Sequence, residues 1–342
     1  MNIEDFVPEV GQGIDKIGFL FGAGTSFEAG YPLISGLTKQ VFQELESDER
    51  DLLSSILEQQ SLAYDQELGT PNIEEIADFV TARQVNADCP QSKRLLDKIR
   101  KLIREAILGV TTPNISDHVA FFEALKVRAF DRPTDIFIIT TNYDLLFEEA
   151  ASYAGVRMNN GFVGTTFRYF SEAEFGLSYG TLSGQKFQKE SGLRVHLYKL
   201  HGSISWFKDG SEIREVDPLR IQAQHERCMI LPRRSKIIET LHNPHDRLFR
   251  RCSELIGRDC KFLISNGFSF GDDHINSHLI TPKISNGSIR ITNFCEFEPS
   301  ALSAVRDRPN VIHQCSDKKV HRGIETPGGS TAWQFGNFTR LF

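Results

Sequence analysis

The run Ile17-Gly18-Phe19-Leu20-Phe21 contains no polar position and stops at Gly22, the pattern of a strand buried on both faces. Leu37, Val41 and Leu45 then recur at helical spacing, so Gly22 opens a turn that links a strand to a helix. From about residue 50 to residue 130 the pattern is helical throughout. Asn72 and Glu75 make a capping-box pair behind Pro71, ahead of apolar Ile73, Ile76, Ala77 and Val80. A second apolar stripe follows through Leu95, Ile99, Leu102, Ile103 and Ala106.

The α/β alternation resumes where Ile136 to Ile139 form a strand and Leu145, Leu146 and Glu149 begin a helix. Residues 159 to 195 carry six glycines among scattered aromatics, which predicts a loop-rich excursion with a hairpin. "VHLYKLHGSISW" and "RCMILPR" predict short strands, the second ending at a proline stop, and helix signals return at 245 to 257. "DCKFLISNGFSFGDDHINSHLI" repeats the order strand, glycine turn, helix, and "SIRITNF" supplies one more strand. The segment "TPGGSTAWQFGNFTRLF" shows no period of either kind. The expected architecture is α/β: a Rossmann-like, mostly parallel sheet flanked by helices, built from residues 1–50 and 130–320. A helical insertion occupies 51–129, and an aromatic, Gly-rich tail occupies 321–342.

Composition narrows the class. At 342 residues the chain exceeds the usual size of a single core, and 40% hydrophobic with 25% charged residues is ordinary for a globular protein. No apolar run approaches the length of a bilayer, and the acidic start "MNIEDFVPEV" lacks the basic character of a secretory signal, so a cytoplasmic protein with no membrane contact is expected. A formal charge of −6 offers no general attraction to nucleic acid, and no direct nucleic-acid binding is expected. Six cysteines occur without a C-x-x-C pair, which predicts buried free thiols rather than a zinc site. His274 and His278 share a helix face without a third ligand at recognisable spacing, so no metal is expected, and Asp272 or Asp273 reads as a helix cap. Lys93, Arg94, Lys98, Arg100, Lys101 and Arg104 form a basic helix face, solvated or in contact with a partner or a nucleic acid. Trp333, Phe335, Phe338 and Phe342 either fold back over their own domain or dock on a neighbouring subunit.

Backbone amides at the start of a helix that follows a parallel strand face anions, and glycines at Gly22 and Gly24 let a diphosphate approach. A dinucleotide fingerprint of the dehydrogenase kind would place a third glycine where Phe27 stands; Thr25 and Ser26 offer hydroxyls instead. A tight strand–helix turn without a ligand uses the same residues. Three further polar turns, at residues 141–144, 265–269 and 292–293, each lie at the carboxyl end of an expected strand, so all four converge on one crevice.

"GAGTS", "TTNYD", "LHG", "NGFS" and "ITN" occur in the order of the sirtuin NAD-binding core, which the chain resembles over roughly residues 12 to 45, 130 to 155, 195 to 208 and 260 to 300. Two departures stand out. "AGYPLISG" replaces the Pro-Asp-Phe-Arg-Ser run of sirtuin deacylases, and their four zinc cysteines have no counterpart here, which disfavours protein deacylation. "AGYP", "NIEE" and "GFSFGDDHI" are more similar to the sirtuin-like domains of bacterial anti-phage systems. That resemblance implies hydrolysis of NAD, bound as substrate, to nicotinamide and ADP-ribose. It also implies a homo-oligomer acting as a defence effector, with a HerA-type ATPase or Argonaute-like partner. Asn142 and His201 are then the expected catalytic pair, with Gly22, Ala23, Gly24, Thr25, Ser26, Asp144, Gly267, Ser269 and Asn293 holding the dinucleotide. The bland alternatives are an Asx-turn for Asn142, a first-turn helix acid for Asp144 and a strand-end histidine for His201. A non-catalytic sensor of NAD or ADP-ribose derivatives, and an NAD-dependent deacylase or ADP-ribosyltransferase, are the rival functions.

Overall fold

The computed structural model describes residues 2–87, 89–222, 224–230 and 243–342. Among the described residues the main sheet has nine strands: β1 (Ile17–Phe21), β2 (Pro133–Thr140), β3 (Arg157–Asn159), β4 (Gly192–Lys199), β5 (Phe262–Asn266), β6 (Arg290–Phe294), β7 (Val311–Gln314), β8 (Lys318–His321) and β9 (Ile324–Pro327). Their order across the sheet is β9-β8-β7-β6-β5-β1-β2-β4-β3. All pairs from β7 to β3 are parallel, and β8 and β9 add an antiparallel edge. The sheet is thus mostly parallel, as the alternating pattern indicates.

Every residue of β1 is buried, because β1 sits between β2 and β5 with helices on both faces. Phe19, Phe21, Ile138, Leu197, Ile264 and Phe294 form one face. They pack against Phe121, Phe122 and Leu125 of α6 (Ser116–Ala129) and against Phe147, Ala150 and Ala151 of α7 (Leu146–Tyr153). Leu20, Ile139, Tyr198, Leu263, Ile291 and Val311 form the other face, under Leu248, Cys252 and Leu255 of α8 (His245–Leu255) and Leu279, Ile280 and Ile284 of the helical segment 273–285. Cys228, Cys252, Cys260 and Cys315 are buried, and all six cysteines are free thiols.

The connections explain where a ligand is received. From β1 the chain steps to β2 and onward through α6 and α7 on the first face; from β5 it moves the opposite way through helices on the second face. The carboxyl ends of β1 and β5 therefore flank a topological switch point, where an open α/β sheet leaves a crevice.

A third core joins α2 (Ile34–Glu44), α3 (Ser47–Glu58), α4 (Ile73–Ala87) and α5 (Pro90–Leu108) through Leu37, Val41, Ile56, Ile76, Val80, Ile99 and Ile103. α4 begins on the capping box read from sequence: Glu74 and Glu75 donate backbone N–H groups to Asn72 Oδ1 at 3.0 and 3.1 Å, and Asn72 N–H donates to Glu75 Oε2 at 3.0 Å. Within the helical stretch α6 differs from its neighbours, since its aromatic face joins the sheet core rather than this bundle.

The glycine-rich excursion forms a hairpin, Gly180–Ser183 with Lys186–Lys189, and contributes to a second, five-stranded antiparallel sheet that includes Gly202–Asp209. The strand expected around "RCMILPR" spans Arg227–Met229, and its proline stop lies outside the described residues. Two features differ from the sequence reading. Strands β7, β8 and β9 follow "SIRITNF", and the aperiodic segment folds as α9 (Phe335–Thr339). Phe335 and Phe338, three apart, point into the first core beside Leu341 and Phe342; the Phe21 ring meets Phe335 at 5.6 Å and Phe338 at 6.1 Å between centroids. Tertiary burial supplies the drive that this short segment lacks on its own.

Candidate active site

The sequence sets two glycine turns against each other. Gly24 N–H donates to Gly267 O at 2.9 Å. A Cβ on Gly22 would lie 2.5 Å from Gly267 O, one on Gly24 2.6 Å from Gly267 Cα, and one on Gly267 2.4 Å from Thr25 N. Gly267 also has φ +64°, a conformation costly for any residue with a Cβ. The three glycines thus serve backbone-to-backbone contact between the β1 and β5 turns, a reason for their presence that holds with or without a ligand. The turns keep donors available: among the described residues the N–H groups of Ala23, Phe268 and Ser269 make no hydrogen bond to protein.

Above the turns lies a cavity of 690 Å³, within the range of small-molecule and cofactor sites. Gly22, Ala23, Gly24, Ser26, Asn142, Asp144, His201, Gly267 and Ser269 all line it. Thr25 and Asn293 do not. Thr25 is buried beneath the turn with its hydroxyl donated to Gly22 O at 2.9 Å. Asn293 is fully buried inside β6, its Nδ2 3.0 Å from His313 Nδ1; strand alternation turns it down into the sheet, and the chain reaches the wall only at Phe294, Cys295 and Glu296. Asn293, expected to help hold a dinucleotide, is thus absent from the cavity wall.

The loop after β2 is tied to the loop after β1. Asn142 Nδ2 lies 3.1 Å from Gly22 O, 3.2 Å from Thr25 Oγ1 and 2.9 Å from Ser26 Oγ. Ser26 Oγ donates to Asp144 Oδ2 at 2.7 Å, and Leu146 N–H donates to Asp144 Oδ1 at 3.1 Å, so Asp144 starts α7 and fixes Ser26 together. Both hydroxyls expected to face a phosphate are thus engaged within the protein. Asn142 Oδ1 makes no hydrogen bond among the described residues.

Lys199 anchors the same loop from below. This fully buried cation donates to Asp144 O, to Glu148 Oε1 at 2.9 Å and to Ser203 Oγ at 3.1 Å. Burial raises the Glu148 carboxyl while Lys199 opposes that rise. Burial, with Asp144 second, likewise pushes the Tyr31 phenol upward on the cavity wall.

His201 follows β4 at the bend where Gly202 has φ +85°, and a Cβ there would sit 2.0 Å from Cys228 O. Its Nε2 lies 2.8 Å from Asp272 Oδ2, with both residues buried. Asp272 Oδ1 accepts from His274 N–H at 3.0 Å and Ile275 N–H at 3.2 Å, which makes Asp272 the cap of the helical segment. One carboxylate thus closes a helix and orients an imidazole at the cavity wall. Sequence reading found the cap but not the pairing, because a separation of 71 residues leaves no local signal. It also missed Lys199, whose trace was a single cation at the end of an apolar strand.

The charged cavity wall is acidic. Glu28, Glu74, Asp144, Asp272, Glu296 and Glu298 line it, and among the described residues no lysine or arginine does. Backbone N–H groups are the donors left for a phosphate. Phe27, Tyr31, Phe268, Trp333 and Phe335 supply apolar and aromatic surface. Among the described residues no three His, Cys, Asp or Glu side chains converge as a metal-holding group, and no helix is long and apolar enough to cross a membrane.

No curated protein matches this chain. Among solved structures, a Sir2 mutant with p53 peptide and NAD shares 11% identity across 99% of this chain and 96% of that one, at a TM-score of 0.46. Sir2 bound to acetylated peptide shares 12% identity at the same coverage and TM-score. Residues 136–291, which carry Asn142, Asp144, His201 and the second glycine turn, match the SIR2-like domain family.

Proposed function

We propose that the protein is an NAD glycohydrolase that cleaves NAD to nicotinamide and ADP-ribose. One observation carries the reading: Asn142 and the paired His201 line the same cavity as the two opposed glycine turns. The turns offer free amides to a diphosphate, and the aromatic wall offers surface to the bases. Nicotinamide leaves as a neutral pyridine, so its departure needs no general acid. The reaction needs stabilisation of an oxocarbenium-like ribose and a water held for attack. The acidic wall, Asp144 above all, favours positive charge on the sugar. Asn142 Oδ1 holds the water or a ribose hydroxyl, and His201 accepts the water's proton. The carboxylate of Asp272 favours the imidazolium that forms.

The resemblance to anti-phage sirtuin-like domains supports a role as a defence effector that depletes NAD. A homo-oligomer, or an ATPase or Argonaute-like partner, then serves as the activating assembly. Nicotinamide release from NAD by purified protein tests the reading. Wild type is expected to turn over, and His201→Ala and Asn142→Ala to fall by about 100-fold or more. NAD binding without nicotinamide release, alone or with candidate partners, would instead establish a sensor.

A further inference from the structure

The basic face of α5 does not end in open solvent. Arg100, Lys101 and Arg104 face Lys208 and Arg227 of the antiparallel sheet across a second recess of 510 Å³. Among the described residues the recess has two acidic lining residues, and each pairs with a neighbour: Asp97 with Arg100 at 3.2 Å and Glu226 with Lys208 at 2.6 Å. Arg104 and Arg227 remain, and neither forms an ion pair with a carboxylate among the described residues. Arg227 is half-buried and fixed in place, donating Nη1–H to Ile204 O and Nη2–H to Pro218 O at 2.9 Å. Burial, and after it the charge of Arg104, hold its guanidinium below the ordinary range. Two like charges held in a concave site with no carboxylate partner among the described residues are a cost to the empty fold, which an anion bridging them relieves.

We infer that this recess is a binding site for a small molecule carrying two or more phosphate groups, and that its occupancy acts on the cavity behind it. Guanidinium pairs match phosphate geometry, and two centres select for more than one phosphate. The link is Tyr143. Its side chain lines both cavities, its hydroxyl donates to Ile230 O on the recess wall, and its sequence neighbours Asn142 and Asp144 hold the first glycine turn. Binding stands on the recess alone, whereas the coupling rests on the proposed NAD cleavage.

Isothermal titration of the full chain with inorganic tripolyphosphate at about 0.15 M salt, where exposed charges are largely screened, tests the binding. Wild type is expected to show one saturable site, weakened at least about 10-fold in Arg104→Gln, which removes no internal hydrogen bond. Arg227→Gln should weaken it as well, with the melting temperature checking the fold. Lys93→Gln, on the same helix but outside the recess, should bind as wild type. Absence of saturable binding, or equal binding by Arg104→Gln, overturns the site. Nicotinamide release that changes at saturating tripolyphosphate in wild type but not in Arg104→Gln supports the coupling, and an unchanged rate overturns it. If no condition releases nicotinamide, the NAD-cleaving reading and the coupling fail together, while the titration still decides the binding.

Discussion

Gly267→Ala places a methyl group where only backbone surrounds it, 2.4 Å from Thr25 N and 2.8 Å from Gly24 C. Gly155 is the matched control. Its φ is +62° against +64° for Gly267, but a Cβ there meets nothing nearer than the flexible end of Lys126 at 3.8 Å. Both alanine variants bear the same left-handed backbone penalty, about 1 kcal/mol, and the same loss of unfolded-state freedom. Only Gly267→Ala adds the collision of two turns, and overpacking of this kind costs about 1–3 kcal/mol. Urea denaturation should show Gly155→Ala about 1 kcal/mol below wild type and Gly267→Ala about 2–4 kcal/mol below it, with unchanged m-values. Titration with NAD should show weaker binding only for Gly267→Ala, because the displaced amides belong to the turns. Equal destabilisation by the two variants would refute the claim that close backbone approach is why glycine occupies position 267.

Two further outcomes follow from the buried histidines and their surroundings. Asp272→Asn keeps a cap oxygen for His274 and Ile275 but turns a donor toward His201 Nε2, so nicotinamide release should fall about 10²- to 10⁴-fold while the melting temperature barely moves. Asp273→Asn serves as the control, and equal activity of wild type and Asp272→Asn would remove Asp272 from the site. Burial drives the His118 imidazole down to about 3, and its ring sits 4.6 Å from that of Phe335 between centroids. A depressed histidine favours the fold above its ordinary pKa of about 6.5 and costs up to about 1.4 kcal/mol per pH unit below it, as the unfolded chain takes the proton. Urea midpoints measured between pH 6 and 4 should therefore decline less steeply for His118→Leu than for wild type; parallel declines would show that His118 is not the group responsible.

Much of the parallel sheet was legible because its strands are uninterrupted apolar runs that end in glycine or polar turns. β1, β2 and β5 all announce themselves this way, and α4 does so through its capping box. β7, β8 and β9 escaped because they are only four residues each, too short for a period to emerge from the mixture of polar and apolar positions. α9 escaped because its reason to be helical is the aromatic core beneath it. Within the site, the turn residues were visible as types at strand ends, but the direction of a side chain was not. Thr25 and Asn293 face inward for reasons of pleat and turn geometry that one strand does not reveal. The pairing of His201 with Asp272 depends on two connections passing on the same side of the sheet, which no local stretch encodes.

The opposed bends after β1 and β5 come from distant stretches of the polypeptide, joined only when Ile17–Phe21 docks beside Phe262–Asn266. High contact order makes that docking a late event, since the entropy of closing so wide a loop precedes the contacts that offset it. A nascent or partly folded molecule consequently lacks the opposed pair of turns, and neither half produced separately should acquire it. Whatever chemistry the crevice performs is therefore confined to chains that have finished folding.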